Sequence, residues 1–358
     1  MSLKIVLPFL MNDENDLDSP KVSGGLERFS QFIYKYSEYV VIPFYYTRED
    51  RQKRTVTRNL LAFIENHQPD LVISNQDSRT ITTNIQEMSN IPILWISHTA
   101  AGGIFKLPQV EQMTEFTSKG GTLAMVSEWQ YNGMNKLCNR ILGHNLELNG
   151  GFINSAFCSG DEEVSHEIKN DTVTIGRIDK EKDPFLLHKL AGNSNLSSLV
   201  LTSAYDLTSP QQKYLDKNKH WEGLRQTEFN LTHKEVMNKL SQSGVYLSTC
   251  PRETWGITAL EAFARGIPVV LLKLSSNGYE HASEYIAPGP HFYQTISAKK
   301  QENFVEAVDI LQKVDRLELS QKTKEKHSKK NWVKTLHNLI DKTIENNKTS
   351  NGITSWFV

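Results

Sequence analysis

The stretch Ser248-Thr249-Cys250-Pro251-Arg252-Glu253-Thr254-Trp255-Gly256-Ile257-Thr258-Ala259-Leu260-Glu261-Ala262-Phe263-Ala264-Arg265-Gly266-Ile267-Pro268-Val269-Val270 changes local character three times. An apolar run, Gly244–Ser248, ends and gives way to a loop carrying Pro251 and Gly256. A short helical segment follows, and Gly266-Ile267-Pro268 leads into the next apolar run, Pro268–Leu272. Strand, loop, helix, strand is one repeat of a parallel α/β sheet.

The same alternation extends in both directions. Apolar runs rich in Val, Ile and Leu occur at Lys4–Leu10, Val40–Tyr46, Leu71–Ser74, Ile93–Ser97 and Leu123–Ser127, then at Thr172–Ile175 and Ser198–Thr202. Runs this short and this apolar suit strands buried on both faces. Leu26–Tyr36 and Thr57–His67 between them have helical spacing. The expected fold is therefore α/β. The polar stretch Ser159–Asn170 reads as a linker between similar halves, a first domain over 1–165 and a second over 166–330. Residues 331–358 read as a closing helix with a frayed Lys/Asn tail that crosses back to the first domain. The length of 358 residues fits two domains.

Composition narrows the function classes. Lys and Arg number 40 against 41 Asp and Glu, a net charge of -1, which excludes a histone-like polycation while leaving room for a local basic face. No apolar run reaches the length of about 18 residues that marks a membrane span, and the apolar start is too short for a signal peptide. Cys138, Cys158 and Cys250 show no CxxC spacing, so neither a zinc site nor a disulfide framework is expected. The expectation is a cytoplasmic protein that needs no metal.

Three segments carry chemistry. Ser23-Gly24-Gly25-Leu26 follows the first strand and opens a helix, where glycines let a ligand approach and free N–H groups attract an anion; plain turn chemistry is the alternative. In Gly176-Arg177-Ile178-Asp179-Lys180-Glu181-Lys182-Asp183 the cations Arg177 and Lys182 flank a turn. Converging there, they would neutralise a diphosphate leaving group; a solvated charged loop is the other reading. Glu253 precedes the helix of the opening stretch and Glu261 lies inside it. Were the whole interval helical, 1.5 Å per residue would set them about 12 Å apart, the reach of a nucleotide-sugar. Acids near a helix start otherwise simply complement its dipole.

These segments, in this order, resemble the retaining GT-B glycosyltransferases of the glycogen-synthase-like GT4 kind, over about residues 3–330. The resemblance implies two Rossmann-like domains facing across a cleft and hexosyl or pentosyl transfer from a nucleotide-sugar, a UDP-sugar, without a cofactor. It implies that Arg177 and Lys182 bind the diphosphate, with the backbone of Trp255, Gly256, Ile257 and Thr258 capping it. Glu261 would then hold the ribose and Glu253 a sugar hydroxyl, with Gly24 and Gly25 lining the donor site. A histidine facing the donor sugar is also implied, and Ile96-Ser97-His98-Thr99 supplies His98; a satisfied strand-end histidine is the alternative. Two departures are visible: Lys182 is followed by Asp183 rather than glycine, and Trp255 stands where phenylalanine is commoner.

The acceptor is read from less. Arg48, Arg51, Lys53, Arg54 and Arg58 form a basic cluster that would track double-stranded DNA, or would be an ordinary solvated face. The Phe105–Gly121 stretch reads as an acceptor-side loop or an amphipathic helix. In organisation the chain resembles the phage DNA-modifying glycosyltransferases, which implies hydroxymethylated cytosine as acceptor, flipped out of the duplex. A glycan or lipid acceptor, or a non-catalytic binding module of the same fold, are the other readings.

Overall fold

The apolar runs become parallel strands, most of them nearly fully buried, and the helical segments cover them. The computed structural model describes residues 3–10, 25–47, 49–50, 55–75, 79–98, 107–142, 150–192, 194–202, 207–218, 225–251, 253, 255–273, 281–297 and 301–354. The chain divides into two units, Met1–Ser155 with Lys330–Val358, and Ala156–Lys329.

In the first unit the order is β1 (Lys4–Leu10), α1 (Gly25–Tyr36), β2 (Val40–Tyr46), α2 (Val56–His67), β3 (Leu71–Ser74), α3 (Arg79–Met88), β4 (Ile93–Ser97), α4 (Leu107–Ser118), β5 (Thr122–Met125), α5 (Glu128–Leu142) and β6 (Gly151–Phe152). The described strands are parallel and ordered β2-β1-β3-β4-β5-β6. The segment 107–118 is thus a helix rather than a loop. Helix α2 shows how pattern becomes packing. Val56, Leu60 and Ile64 form one buried stripe, and Gln68 closes the helix with a left-handed φ of 46°. Trp95 is fully buried on β4 and meets Phe116 edge-on at 5.3 Å.

The second unit runs β7 (Asn170–Ile175), α6 (Leu186–Ala191), β8 (Ser198–Thr202), α7 (Ser209–Asn218), β9 (Arg225–Phe229), α8 (His233–Ser241), β10 (Ser243–Ser248), α9 (Ile257–Ala264), β11 (Val269–Lys273), α10 (Ala282–Ile286), β12 (Tyr293–Ser297), α11 (Gln301–Leu311) and α12 (Arg316–Lys326). Its described strands are also parallel, in the order β12-β11-β10-β7-β8-β9. Counted within the unit, that is the 3-2-1-4-5-6 order of doubly wound nucleotide-binding sheets, in which the strand direction of growth reverses between β7 and β10. Ligands of such sheets lie outside the carboxyl ends of the strands at that reversal.

Helix α13 (Lys329–Thr354) is continuous, and its residues from Lys330 onward belong to the first unit. Trp332, Leu336, Leu339, Ile340 and Thr343 are buried along one face. The Trp332 indole donates to the Asn154 carbonyl at 2.8 Å, and Asn346 Nδ2 donates to Thr122 Oγ1 at 3.0 Å. Some of its Lys and Asn residues help dock it: Asn347 donates to the Asn90 carbonyl at 3.2 Å and Lys342 to the Gly150 carbonyl at 3.1 Å. Residues 156–169 carry no helix or strand beyond a bridge from Cys158 to Ser328. The three cysteines form no disulfide and are buried.

Candidate functional site

In the second unit the loop leaving β7 and the loop leaving β10 meet. Ile178 is fully buried and anchors the first loop, and the Asp179 carboxylate accepts the backbone N–H groups of Glu181 at 3.0 Å and Lys182 at 2.7 Å. The Thr249 hydroxyl, at the exit of β10, donates to the Lys182 carbonyl. The Lys182 ammonium donates to Glu253 Oε1. Burial works against the Lys182 charge, but Glu253 outweighs it and the ammonium is held above the ordinary lysine range. Arg177 lies on the same loop, its side chain 68% exposed and 3.5 Å from Asp179. The structure therefore joins Lys182 to Glu253 and leaves Arg177 reaching into solvent.

The β10–α9 loop is held from behind. His281 Nδ1 accepts the Ser283 N–H at 3.1 Å, so its proton is on Nε2, which donates to the Cys250 carbonyl at 2.9 Å. Burial lowers the His281 pKa and keeps the ring neutral. Gly256 is the N-cap of α9, with φ +85° and no side chain of its own to cap the helix. A Cβ there would fall 2.4 Å from Ser283 Oγ, so only glycine fits both the backbone and the space. An uncapped helix start presents unpaired N–H groups and the positive end of the dipole.

Trp255 is 3% exposed and packs edge-on against His327 at 5.8 Å, which makes its ring part of the core. Thr258 shares a hydrogen bond with the Tyr246 hydroxyl, and burial followed by the charge of Glu253 pushes that hydroxyl up. Glu261 lies on α9 with its carboxylate 3.7 Å from His233 Nε2 of α8. Since α9 starts at Ile257, Glu253 is outside it, and the spacing derived from a continuous helix does not apply.

The first unit carries its own polar chain at the carboxyl ends of β3 and β4. His98 Nε2 bonds Asn75 Oδ1 at 2.5 Å, and Asn75 Nδ2 donates to Ser30 Oγ at 2.5 Å. Phe29 meets the His98 ring edge-on at 5.0 Å. Burial lowers the His98 pKa to about 3, so the imidazole is neutral at physiological pH. Gly25 is the first residue of α1. Arg58 is exposed on α2. Gly24, Arg48, Arg51, Lys53 and Arg54 lie outside the described residues. The described residues contain no cluster of three or more His, Cys, Asp or Glu suited to a metal ion, and no helix long and apolar enough to cross a membrane.

His233, His281, Thr249, Tyr214 and Asn75 were not singled out from the sequence. Each reaches its partner from a loop or helix distant in the chain, and no local spacing marks it.

Residues 161–330 match the family Glycosyl transferases group 1. No curated protein matches the sequence. Among solved structures the chain resembles sucrose-phosphate synthase from Thermosynechococcus elongatus, with a TM-score of 0.65, 11% identity and 99% of each chain covered. It resembles Anabaena Alr3699/HepE in complex with UDP and glucose, with a TM-score of 0.63, 13% identity, and 99% of this chain and 100% of that one covered. With a chain of the GtfA/B complex the TM-score is 0.59 at 12% identity over 81% of this chain, which spans only 61% of that one. The two parallel sheets with alternating helices are the α/β fold of GT-B proteins, and the family match covers most of the second of them.

Proposed function

We propose that the protein transfers a hexosyl or pentosyl group from a nucleotide-sugar, specifically a UDP-sugar, to an acceptor hydroxyl with retention at the anomeric carbon. The observation that carries this reading is the contact of Lys182 with Glu253. It joins the loops of the two strands that flank the reversal in the second sheet, where such sheets hold nucleotides. The family match over residues 161–330 supports it, as does a fold shared with a structure containing UDP and glucose.

In this reading the bond from the anomeric carbon to the diphosphate oxygen breaks, and the electron pair stays on the diphosphate. Lys182, Arg177 and the uncapped start of α9, from Gly256 through Thr258 next to Trp255, stabilise the charge that grows there. Glu253 holds a sugar hydroxyl, Glu261 the ribose, and neutral His98 hydrogen-bonds the sugar. The acceptor oxygen bonds to the same face of the anomeric carbon and its proton passes to a phosphate oxygen. The enzyme positions and stabilises; no covalent enzyme intermediate forms.

A thermal-shift panel of nucleotide-sugars tests donor binding, since a donor at 100 times its Kd stabilises by about 2.7 kcal/mol. Stabilisation without donor hydrolysis or transfer would indicate a binding module, and no response to any nucleotide-sugar would end the reading. Calorimetry separates the two acids. Glu261→Ala should weaken both free UDP and the full donor, whereas Glu253→Ala should spare UDP and weaken only the sugar-bearing form. The reverse pattern would remove the assignment.

For the acceptor we carry forward hydroxymethylated cytosine in double-stranded DNA, on the basic cluster of which Arg58 is the described member. Binding should weaken with salt along a log–log slope of about -0.9 per phosphate neutralised. Arg58→Ala should make the slope shallower by about that amount and leave donor hydrolysis intact. Salt-insensitive DNA binding with no sugar transfer to hydroxymethylcytosine would leave a glycan or lipid hydroxyl as the acceptor.

A further inference from the structure

Asp183, immediately after Lys182, holds a left-handed backbone with φ of 34°. A Cβ makes that region costly for an L residue, and aspartate adopts it more readily than most, with help from hydrogen bonds that its short side chain makes nearby. The help is visible. The Tyr214 hydroxyl, on α7, donates to Asp183 Oδ1. The Tyr214 ring is half-buried and packs against Phe185 with centroids 6.0 Å apart, so the hydroxyl is delivered from a fixed ring. The Asp183 backbone is bonded on both sides, its N–H to the Asp179 carbonyl at 2.9 Å and its carbonyl to the Leu186 N–H at 3.0 Å.

Lys182 is tied at its N–H by Asp179, at its carbonyl by Thr249 and at its ammonium by Glu253. The peptide leading into Asp183 sets the direction in which the lysine stem leaves the loop. We infer that Tyr214 is a positioning residue: by holding Asp183 left-handed, it aims the Lys182 side chain at Glu253. Its consequence for sugar transfer rests on the function proposed above, whereas the positioning itself does not. Burial, then the hydrogen bond to Asp183, raises the Tyr214 hydroxyl above its ordinary range, so it remains a donor at any pH the protein meets.

Glycine at position 183 would need no such hold, because it adopts φ above zero without a Cβ penalty. This gives the experiment. In protein labelled with carbon-13 at lysine Cε, the Lys182 signal, assigned by its loss in Lys182→Arg, should titrate above the ordinary lysine range. Tyr214→Phe, which keeps the ring packing, should bring that titration back toward an ordinary lysine, and Tyr214→Phe combined with Asp183→Gly should return it to the wild-type position. With a nucleotide-sugar that the wild type turns over, kcat should fall about 10–100-fold in Tyr214→Phe with KM little changed, and recover in the double variant. A Lys182 titration unmoved by Tyr214→Phe, or not restored by glycine, overturns the inference. If the wild type turns over no nucleotide-sugar, the functional reading fails while the titration still decides the positioning.

Discussion

Lys182→Ala is expected to lower turnover of a nucleotide-sugar about 10²–10³-fold, close to the loss seen when one preorganised donor to a developing anion is removed. The size follows from where the ammonium sits. Its side chain is 25% exposed and that of Glu253 21% exposed, so their attraction is screened far less than a surface pair. Charge that develops on a leaving diphosphate at this point meets a cation already oriented by three tethers. Arg177→Ala should act in the same direction with a smaller effect, because its guanidinium is 68% exposed and shares Asp179. Lys182→Arg should restore little, since a planar fork does not replace a compact ammonium on this geometry. Single-turnover measurements with the donor decide the matter: Lys182→Ala at the wild-type rate would remove the lysine from the chemistry.

The strands legible in the sequence are those that carry continuous apolar runs, including β2, an edge strand that is only partly buried. β1, β3, β4 and β10 carry continuous apolar runs, and their burial is nearly complete. β9, Arg-Gln-Thr-Glu-Phe, was missed because it is the edge beyond β8, where one side of the ladder faces no further strand and polar residues are tolerated. β12, Tyr-Gln-Thr-Ile-Ser, is the opposite edge of the same sheet and hides for the same reason. β6 is two residues long and gives no period to read. The closing helix is legible despite its many Lys and Asn residues because Trp332, Leu336, Leu339 and Ile340 keep the helical spacing that docks it.

The site divides in a similar way. Arg177 with Lys182, and Glu253 with Glu261, are each near in sequence and could be recognised as segments. Which cation faces which acid could not be read, since Lys182 and Glu253 are 71 residues apart and meet only because β7 and β10 are neighbours. The residues that hold these groups in place were silent for the same reason. His281 supports the Cys250 carbonyl from 31 residues away, and Tyr214 reaches Asp183 across 31. A single sequence encodes such contacts through the fold, not through spacing.

Mild acid is expected to destabilise the second unit through His327. The ring donates from Nε2 to the Ile286 carbonyl at 2.8 Å and lies edge-on to buried Trp255. Burial lowers its pKa to about 4. An unfolded histidine titrates near 6.5, so between about pH 6.5 and 4 the unfolded state binds the extra proton and the native state does not. Stability therefore rises with pH through that window and is lost as pH falls through it, at up to about 1.4 kcal/mol per pH unit and about 3 kcal/mol in all. His281, also lowered by burial, acts in the same direction in this unit. His98, lowered to about 3, does so in the first unit. His327→Gln keeps an N–H for the Ile286 carbonyl but cannot titrate. Its stability should therefore fall less steeply than the wild type's when denaturant unfolding is followed from pH 7 to pH 5. Equal slopes for the two proteins would mean that the native His327 accepts its proton as readily as the unfolded one, and the buried neutral ring would have to be given up.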